Sequence, residues 1–166
     1  MRARDNATGA AARRYFGYGT ILDHDAFIEW RHQHEYDFFQ LPEGKVAEAL
    51  DVALVYDFPS RWWGGRVAGL ADAKGKSVFG RLYEIAGTDW AIIQHKEGAI
   101  TNMCVEREVR VTVDGEIVIA TAFTTRPERR SLDGPVSDRF VKSLVSGARA
   151  AGLPDAWIDS IPRDAR

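Results

Sequence analysis

Residues 88–98, TDWAIIQHKEG, are the stretch around which the rest of the chain is organised, and their pattern predicts a short helix. Thr88 is a good N-cap residue, and Asp89 follows it where the helix dipole favours an acid. Gly98 is suited to the left-handed conformation that ends many helices. The stretch therefore predicts a helix that begins at Thr88 and stops at Gly98.

One face of this predicted helix carries two apolar residues and one acidic residue. Trp90, Ile93 and Glu97 are spaced three and then four residues apart, so they share a face. Glu97 then lies on the core side at the negative end of the helix, and both effects disfavour its ionised form. General acid-base catalysis requires a carboxyl in such a setting, which makes Glu97 a candidate catalytic residue. The alternative is a solvated glutamate in a fraying last turn.

A second stretch, FGYGT at residues 16–20, follows the first predicted strand. It resembles the start of a dinucleotide fingerprint, but Leu22 stands where the third glycine is needed, so this interpretation is weak. A tight loop whose backbone N–H groups point at one anion, such as a carboxylate, fits better. An ordinary turn remains the alternative.

Composition indicates one globular domain and excludes several partners. The chain has 166 residues, of which 45% are hydrophobic and 28% charged, with a net charge of −2. This charge predicts neither a nucleic-acid partner nor an anionic membrane, and no apolar run is long enough to span a bilayer. We expect a monomer or homodimer, with residues 1–13 as a disordered leader without a secretory pattern and residues 14–166 as a single domain. The single cysteine, Cys104, fits a reducing compartment and predicts a cytoplasmic location.

Strand patterns interrupted by isolated helices predict an α+β fold. The predicted strands are residues 14–16, 51–58 (ended by Pro59), 67–71, 78–85, 105–113 and 116–124, with a turn at 74–76 and a hairpin turn at Asp114-Gly115. The return strand 116–124 is apolar on both faces and should be central. The predicted helices are residues 25–34, with Asp23 as N-cap, and a helix from Ser137, followed by a helical turn near Trp157.

Other chemistry-bearing residues favour structural roles. His32, His34 and Glu35 invite a metal site, but residues two apart do not face each other on a helix, so we predict no metal. Cys104 has no histidine at an obvious spacing and is interpreted as a structural thiol rather than a nucleophile. His95 is expected to be a surface or capping residue.

The two indoles of Trp62 and Trp63 stand beside two glycines, so they could cover a pocket or close one end of the core. The sequence pattern slightly favours packing of these two indoles in the core. The basic group of Arg126, Arg129 and Arg130 is too small to indicate nucleic-acid binding, and it is interpreted as a solvated loop.

Four motifs together resemble the γ-glutamylcyclotransferase-like family over nearly all of residues 14–160. They are YGTIL at 18–22, WGGRVA at 63–68, VFGRLYEI at 78–85 with the later Glu97-Gly98 pair, and GARAAGLP at 147–154 after Ser137. The resemblance implies a compact mixed β-barrel with flanking helices and a cavity at its mouth. It also implies an acyltransferase or lyase that needs no metal or cofactor and takes a small γ-glutamyl compound as its partner.

In the reaction implied by the resemblance, the α-amine of the substrate attacks its own γ-carbonyl, forms 5-oxoproline and expels an amine or amino acid. Glu97 would be the general acid-base. Substrate binding is expected from backbone donors and the tryptophan-glycine segment, namely Tyr18, Gly19, Thr20, Ile21, Trp63 and Gly64.

This chain also departs from the family pattern. Thr20 replaces the usual serine, and Cys104, Phe123 and Phe140 stand where family members often carry tyrosines. These losses of hydroxyl donors suggest a hydrophobic or larger leaving group. They also keep open an alternative function, a non-catalytic protein that binds a small carboxylated ligand. A third interpretation, an adaptor or oligomerisation domain, predicts a solvent-exposed Glu97 without an adjoining cavity.

Overall fold

Five strands close into a barrel in the order β1-β3-β2-β4-β5 in the computed structural model, which describes residues 11–165. The strands are β1 (Arg13–Gly17), β2 (Lys45–Ser60), β3 (Gly65–Ile85), β4 (Cys104–Val113) and β5 (Glu116–Thr125). The helices are α1 (His24–Gln33), α2 (Trp90–Lys96), α3 (Asp138–Ala150) and α4 (Asp155–Asp164). This is the predicted α+β fold, a mixed barrel with flanking helices. Of the predicted leader, residues 1–10 lie outside the described residues, and β1 begins at Arg13.

The short strand β1 closes the barrel and supplies residues to two hydrophobic clusters, one inside the barrel strands and one that includes the helices. Tyr15 pairs with Tyr83 of β3 in antiparallel register and with Thr121 of β5 in parallel register. Successive side chains point to opposite sides of a strand. Phe16 therefore packs with small and branched strand residues such as Ala49, whereas Tyr15 joins the cluster that includes the helices. This alternation directs the Tyr15 side chain toward the helices that flank the barrel, here called the helix layer.

The predicted end of a strand at Pro59 is wrong. Strand β2 continues through Pro59 to Ser60, because Pro59 pairs with Arg66 of β3 at an exposed position near the end of the ladder. Proline cannot donate a ladder hydrogen bond, and such an exposed position near a strand end tolerates this loss.

The two predicted strands 67–71 and 78–85, with their intervening turn, form the single strand β3. Gly75 adopts a positive φ of 80°, but its N–H donates to the Asp51 carboxylate on the facing strand at 2.8 Å. Strand β2 shifts register between Leu50 and Val52. The glycine therefore marks an irregularity within a long hairpin, and not a chain reversal.

The predicted N-cap at Thr88 is also wrong. Gly87–Asp89 forms a 3-10 turn closed by the backbone, with the Asp89 N–H donating to the Ala86 carbonyl at 2.8 Å. Helix α2 starts only at Trp90 and has no side-chain cap. The predicted stop is confirmed, since Gly98 has a φ of +78°.

Other local predictions are confirmed. Asp23 caps α1 by accepting from the Ala26 N–H at 3.3 Å, and Ser137 caps α3 by accepting from the Phe140 N–H at 3.1 Å. The Asp114-Gly115 hairpin has positive φ at both residues, as the tight turn requires.

Strand β5 lies between β4 and β1, but its apolar faces are not all covered. Ile117 and Ile119 are exposed, and continuous burial of the strand is found only from Ala122 onward. Across residues 11–165, no helix combines the length and apolar character needed to cross a membrane.

Candidate active site

A cavity of about 600 Å³ opens where the loop after β1, the end of α2 and the β2–β3 connection meet helices α1 and α3. Its walls contain Tyr18, Gly19, Thr20, Asp23, Trp30, Trp63, Lys96, Glu97, Cys104, Arg139 and Phe140, among other residues. The structure thus brings together residues that are widely separated in sequence.

Glu97 is positioned by the end of α2. Its N–H donates to the Ile93 carbonyl at 2.9 Å, and Gly98 then turns the chain away from the helix axis. The carboxyl is half-buried and lines the cavity. The Tyr15 hydroxyl donates to Oε1, while within residues 11–165 Oε2 accepts no hydrogen bond. One carboxyl oxygen is therefore fixed, and the other is open to a ligand.

Tyr15 is a site residue that the sequence analysis missed. Its ring is buried, stacked on Tyr83 at 5.7 Å and packed edge-on against Phe123 at 6.0 Å. Burial, together with the nearby charge and hydrogen bond of Glu97, raises the pKa of Tyr15 well above its ordinary value. The phenol therefore stays protonated and acts as a constant donor to Glu97. Strand alternation could have indicated that one of Tyr15 and Phe16 faces the helix layer.

The loop after β1 lines the cavity with residues whose backbone donors are unpaired within residues 11–165. Within residues 11–165, the N–H groups of Gly19 and Thr20 have no acceptor. A side chain on Gly19 would meet open space, whereas one on Gly17 would lie 2.6 Å from Ile21 Cγ2. Tyr18 anchors the loop, since its hydroxyl donates to the Phe123 carbonyl. This arrangement can receive an anion at Gly19 and Thr20.

Two of the predicted binding residues lie apart from this cavity. Ile21 is buried in the core with 3% of its surface exposed, and Gly64 lines a neighbouring hollow instead. Trp63 does line the cavity.

The Trp63 wall is held by α3. The Trp63 carbonyl accepts a hydrogen bond from the Ser137 hydroxyl at 2.6 Å, and the Trp63 ring packs edge-on against Phe140 with a centroid distance of 5.5 Å. The Arg139 guanidinium lies 5.3 Å from the Trp63 ring centroid and donates to the Trp62 carbonyl. Trp62 is 56% exposed and also lines the cavity, so these indoles cover a pocket instead of only closing the core.

The three positions that lack tyrosine have different surroundings. Cys104 and Phe140 line the cavity, whereas Phe123 is buried beside Tyr15 and Trp90. Burial, reinforced by the charges of Glu97 and Asp57, raises the pKa of the Cys104 thiol to about 12. A protonated thiol is a poor nucleophile, which agrees with a structural role.

Two histidines, His34 and His95, belong to an aromatic cluster near the cavity. His34 lines the cavity and stacks on Trp30 at 4.7 Å, while His32 faces Asp37. His95 is not a simple surface or capping residue, because its Nδ1 lies 3.0 Å from the Tyr36 hydroxyl within the cluster. Burial lowers the pKa of His95, and His34 adds to the effect.

Comparisons with known proteins agree with this geometry. A sequence model of the AIG2-like family matches residues 77–161, half of the chain. No curated protein matches the chain in sequence.

Among solved structures, a human protein described as uncharacterized protein loc79017 has a TM-score of 0.77 and 21% identity, with 92% of this chain and 88% of that chain covered. A protein named gamma-glutamyl cyclotransferase has a TM-score of 0.74 and 20% identity, with coverages of 91% and 86%. A yeast gamma-glutamyl cyclotransferase specific to glutathione has a TM-score of 0.56 and 10% identity, with coverages of 93% and 98%.

These likenesses establish a shared fold, and the family match covers β-strand, helix and Glu97-Gly98 segments of the cavity. The chain therefore belongs to the AIG2-like family and has the γ-glutamylcyclotransferase-like fold.

Proposed function

We propose that this protein converts a γ-glutamyl amine or γ-glutamyl amino acid into 5-oxoproline and a free amine. The observation that carries the proposal is the half-buried Glu97 carboxyl, which shares one cavity with the unpaired amides of Gly19 and Thr20. A γ-glutamyl group carries both an α-ammonium and an α-carboxylate, so it needs an acid-base group and a set of anion donors close together.

The proposed reaction begins when Glu97 accepts a proton from the α-ammonium of the substrate. The free α-amine then attacks the γ-carbonyl carbon, and the new carbon–nitrogen bond closes a five-membered ring. As the original γ-amide bond breaks, Glu97 returns its proton to the leaving nitrogen. The attacking nitrogen gives a further proton to water, and the released amine takes one from water, so that protons balance. Holding the chain curled supplies the proximity advantage of an intramolecular step.

The cavity walls support a leaving group that is not strongly hydrogen-bonded. Cys104 and Phe140 offer no hydroxyl donor, while Trp62 and Trp63 provide large apolar surfaces. We expect the leaving group to lie along this wall. The same lack of hydroxyl donors also fits the alternative function, a protein that binds a small carboxylated ligand without converting it. The free thiol of Cys104 supports a cytoplasmic location as part of the proposal.

A substrate panel tests the proposal. The protein is mixed with γ-glutamyl amino acids and γ-glutamyl amines, and formation of 5-oxoproline is measured. We expect product with the wild type and a loss of about 100-fold or more in rate with Glu97→Gln, because removal of an acid-base group typically has this effect. The matched control is Glu84→Gln, which changes an exposed acid on β3.

Melting temperatures of both variants should stay close to that of the wild type. Full activity of Glu97→Gln would contradict the proposed role of Glu97. Saturable binding of panel compounds without product would favour the binding protein. The adaptor interpretation expected an exposed Glu97 without a cavity, which is not what the structure has.

A further inference from the structure

Lys96 is a cation inside the candidate active site that makes no ion pair or hydrogen bond within residues 11–165. It is the last residue of α2, directly before Glu97, and it is half-buried and lines the cavity. Its ammonium instead lies over the Trp30 ring, whose centroid is 5.9 Å away. A partly desolvated charge without a partner is unfavourable, so this position invites an anion.

The surroundings of Lys96 locate it between Glu97 and the loop after β1. Burial lowers the pKa of Lys96, while the charges of Glu97 and Asp23 oppose this shift. Asp23 ends the 3-10 turn Thr20–Leu22, and its N–H donates to the Thr20 carbonyl at 3.0 Å. Its carboxylate is already occupied by the Ala26 N–H and by the Ser143 hydroxyl at 2.7 Å. Within residues 11–165, neither neighbouring acid forms a direct ion pair with Lys96, although both favour its charged form from a distance.

The loop supplies the second half of an anion site. Gly19 and Thr20 line the same cavity and their N–H groups are free of acceptors within the described residues. Backbone N–H groups and an ammonium together can satisfy both oxygens of a carboxylate by charge-assisted hydrogen bonds.

We infer that Lys96 binds the α-carboxylate of the γ-glutamyl group, together with the amides of Gly19 and Thr20, and so makes a free α-carboxylate a requirement for binding. This inference rests on the proposed function. On the substrate, the α-ammonium is attached to the same carbon as the α-carboxylate. On the protein, Lys96 and Glu97 both line the same cavity, so the two charged groups of the substrate can reach both side chains. Arg139 also lines the cavity, but its guanidinium already donates to the Trp62 carbonyl and lies 5.3 Å from the Trp63 ring centroid.

The test compares binding of L-5-oxoproline, which keeps the α-carboxylate, with binding of its carboxamide, using calorimetry. We expect the wild type to prefer the acid by about tenfold or more, since a hydrogen bond to a charged group has this effect. Lys96→Met and Lys96→Gln should each reduce the preference by about tenfold, and Lys96→Arg should keep most of it. Arg139→Met should keep it. Lys142→Met, an exposed change on α3, controls for net charge.

Turnover provides a second readout, in which Lys96→Met should raise KM about tenfold with a smaller change in kcat, because the lost contact is made to the bound substrate. A wild type without preference would overturn the inference. So would a preference of unchanged size in both Lys96→Met and Lys96→Gln, or one that disappears only in Arg139→Met. If the preference is present but the wild type forms no 5-oxoproline from any panel compound, the proposed function fails while the carboxylate site stands.

Discussion

The Tyr15 hydroxyl and the Glu97 carboxyl are separated by 82 positions in the chain, yet they form a direct hydrogen bond at the cavity wall. A glutamate side chain has three rotatable bonds, and its carboxyl can otherwise sample many directions. Because Tyr15 is packed between Tyr83 and Phe123, its hydroxyl cannot follow such motion. We regard Tyr15 as a positioning residue that acts on the substrate through Glu97.

Removal of this hydroxyl tests the positioning role. Tyr15→Phe keeps the ring but loses the donor, and we expect kcat to fall by about ten- to a hundredfold with KM nearly unchanged, since a hydrogen bond to a charged group contributes about 1.5–3 kcal/mol. Steady-state kinetics on the best panel substrate measures the change. Tyr83→Phe is the matched control, because Tyr83 stacks on Tyr15 but its hydroxyl is not bonded to Glu97. Equal losses in both variants would assign Tyr15 to packing alone.

Helix α3 determines where the loop after β1 lies. Gly147 faces the backbone of Leu22 and Asp23, and a Cβ at this position would lie 2.6 Å from the Asp23 nitrogen. A helix can approach another backbone this closely only where a side chain is missing. The contact is reinforced by the Ser143 hydroxyl, which donates to Asp23. The position of Gly19 and Thr20 in the cavity therefore depends on the surface of α3.

Gly147→Ala should move this contact and lower stability. Alanine in a helix interior is normally favoured over glycine by about 1 kcal/mol. Here the clash with rigid backbone makes alanine destabilising instead. We expect the free energy of unfolding to fall by about 1–3 kcal/mol, which is typical of overpacking. Chemical denaturation measures the loss, and KM for the panel substrate should rise as the loop shifts.

Ser146→Ala, an exposed change on the same helix, should leave both stability and KM almost unaltered. Stabilisation by Gly147→Ala would show that the loop and α3 can separate without cost, and the proposed dependence of the loop on α3 would then be wrong.

The barrel and the helix layer are joined by polar contacts that converge on Glu106 of β4. Its carboxylate accepts from the Trp90 Nε1 at 2.8 Å and from Gln94 on α2, and it pairs with Arg13 of β1 at 3.2 Å. Burial opposes ionisation of Glu106, but the hydrogen bonds from Trp90 and Arg13 outweigh it, so the pKa of Glu106 is lowered. A lowered folded-state pKa adds stability above the unfolded value of 4.5, and this contribution is lost as the pH falls through the folded value.

Glu106→Gln should therefore reduce stability at neutral pH by about 1 kcal/mol, since partly exposed ion pairs and hydrogen bonds contribute this much. The difference from the wild type should shrink as the pH falls through the lowered pKa of Glu106, because the wild-type carboxyl is protonated there. Urea denaturation at a series of pH values from neutral to acidic measures it. Glu108→Gln, which changes an exposed acid on the same strand, serves as control. A difference that stays equally large over the whole acidic series would show that charge on Glu106 does not stabilise the fold.

Predictions from sequence succeeded where a structure depends on a few neighbouring residues. The caps at Asp23 and Ser137 and the hairpin at Asp114-Gly115 each follow from side-chain or φ preferences within one turn. They failed at Thr88, where the backbone closes a 3-10 turn that leaves the threonine outside the cap position.

The sequence by itself determined the α+β order of elements, the glycine that ends α2 before the Glu97 region, and the motifs that mark the family. Only the tertiary structure decided that Tyr15 meets Glu97, that Lys96 remains without a partner in the described chain, and that Ile21 turns into the core. The reason is physical. Capping and turn preferences act over a few bonds, whereas these contacts exist only after the barrel closes and sets the distances between remote residues.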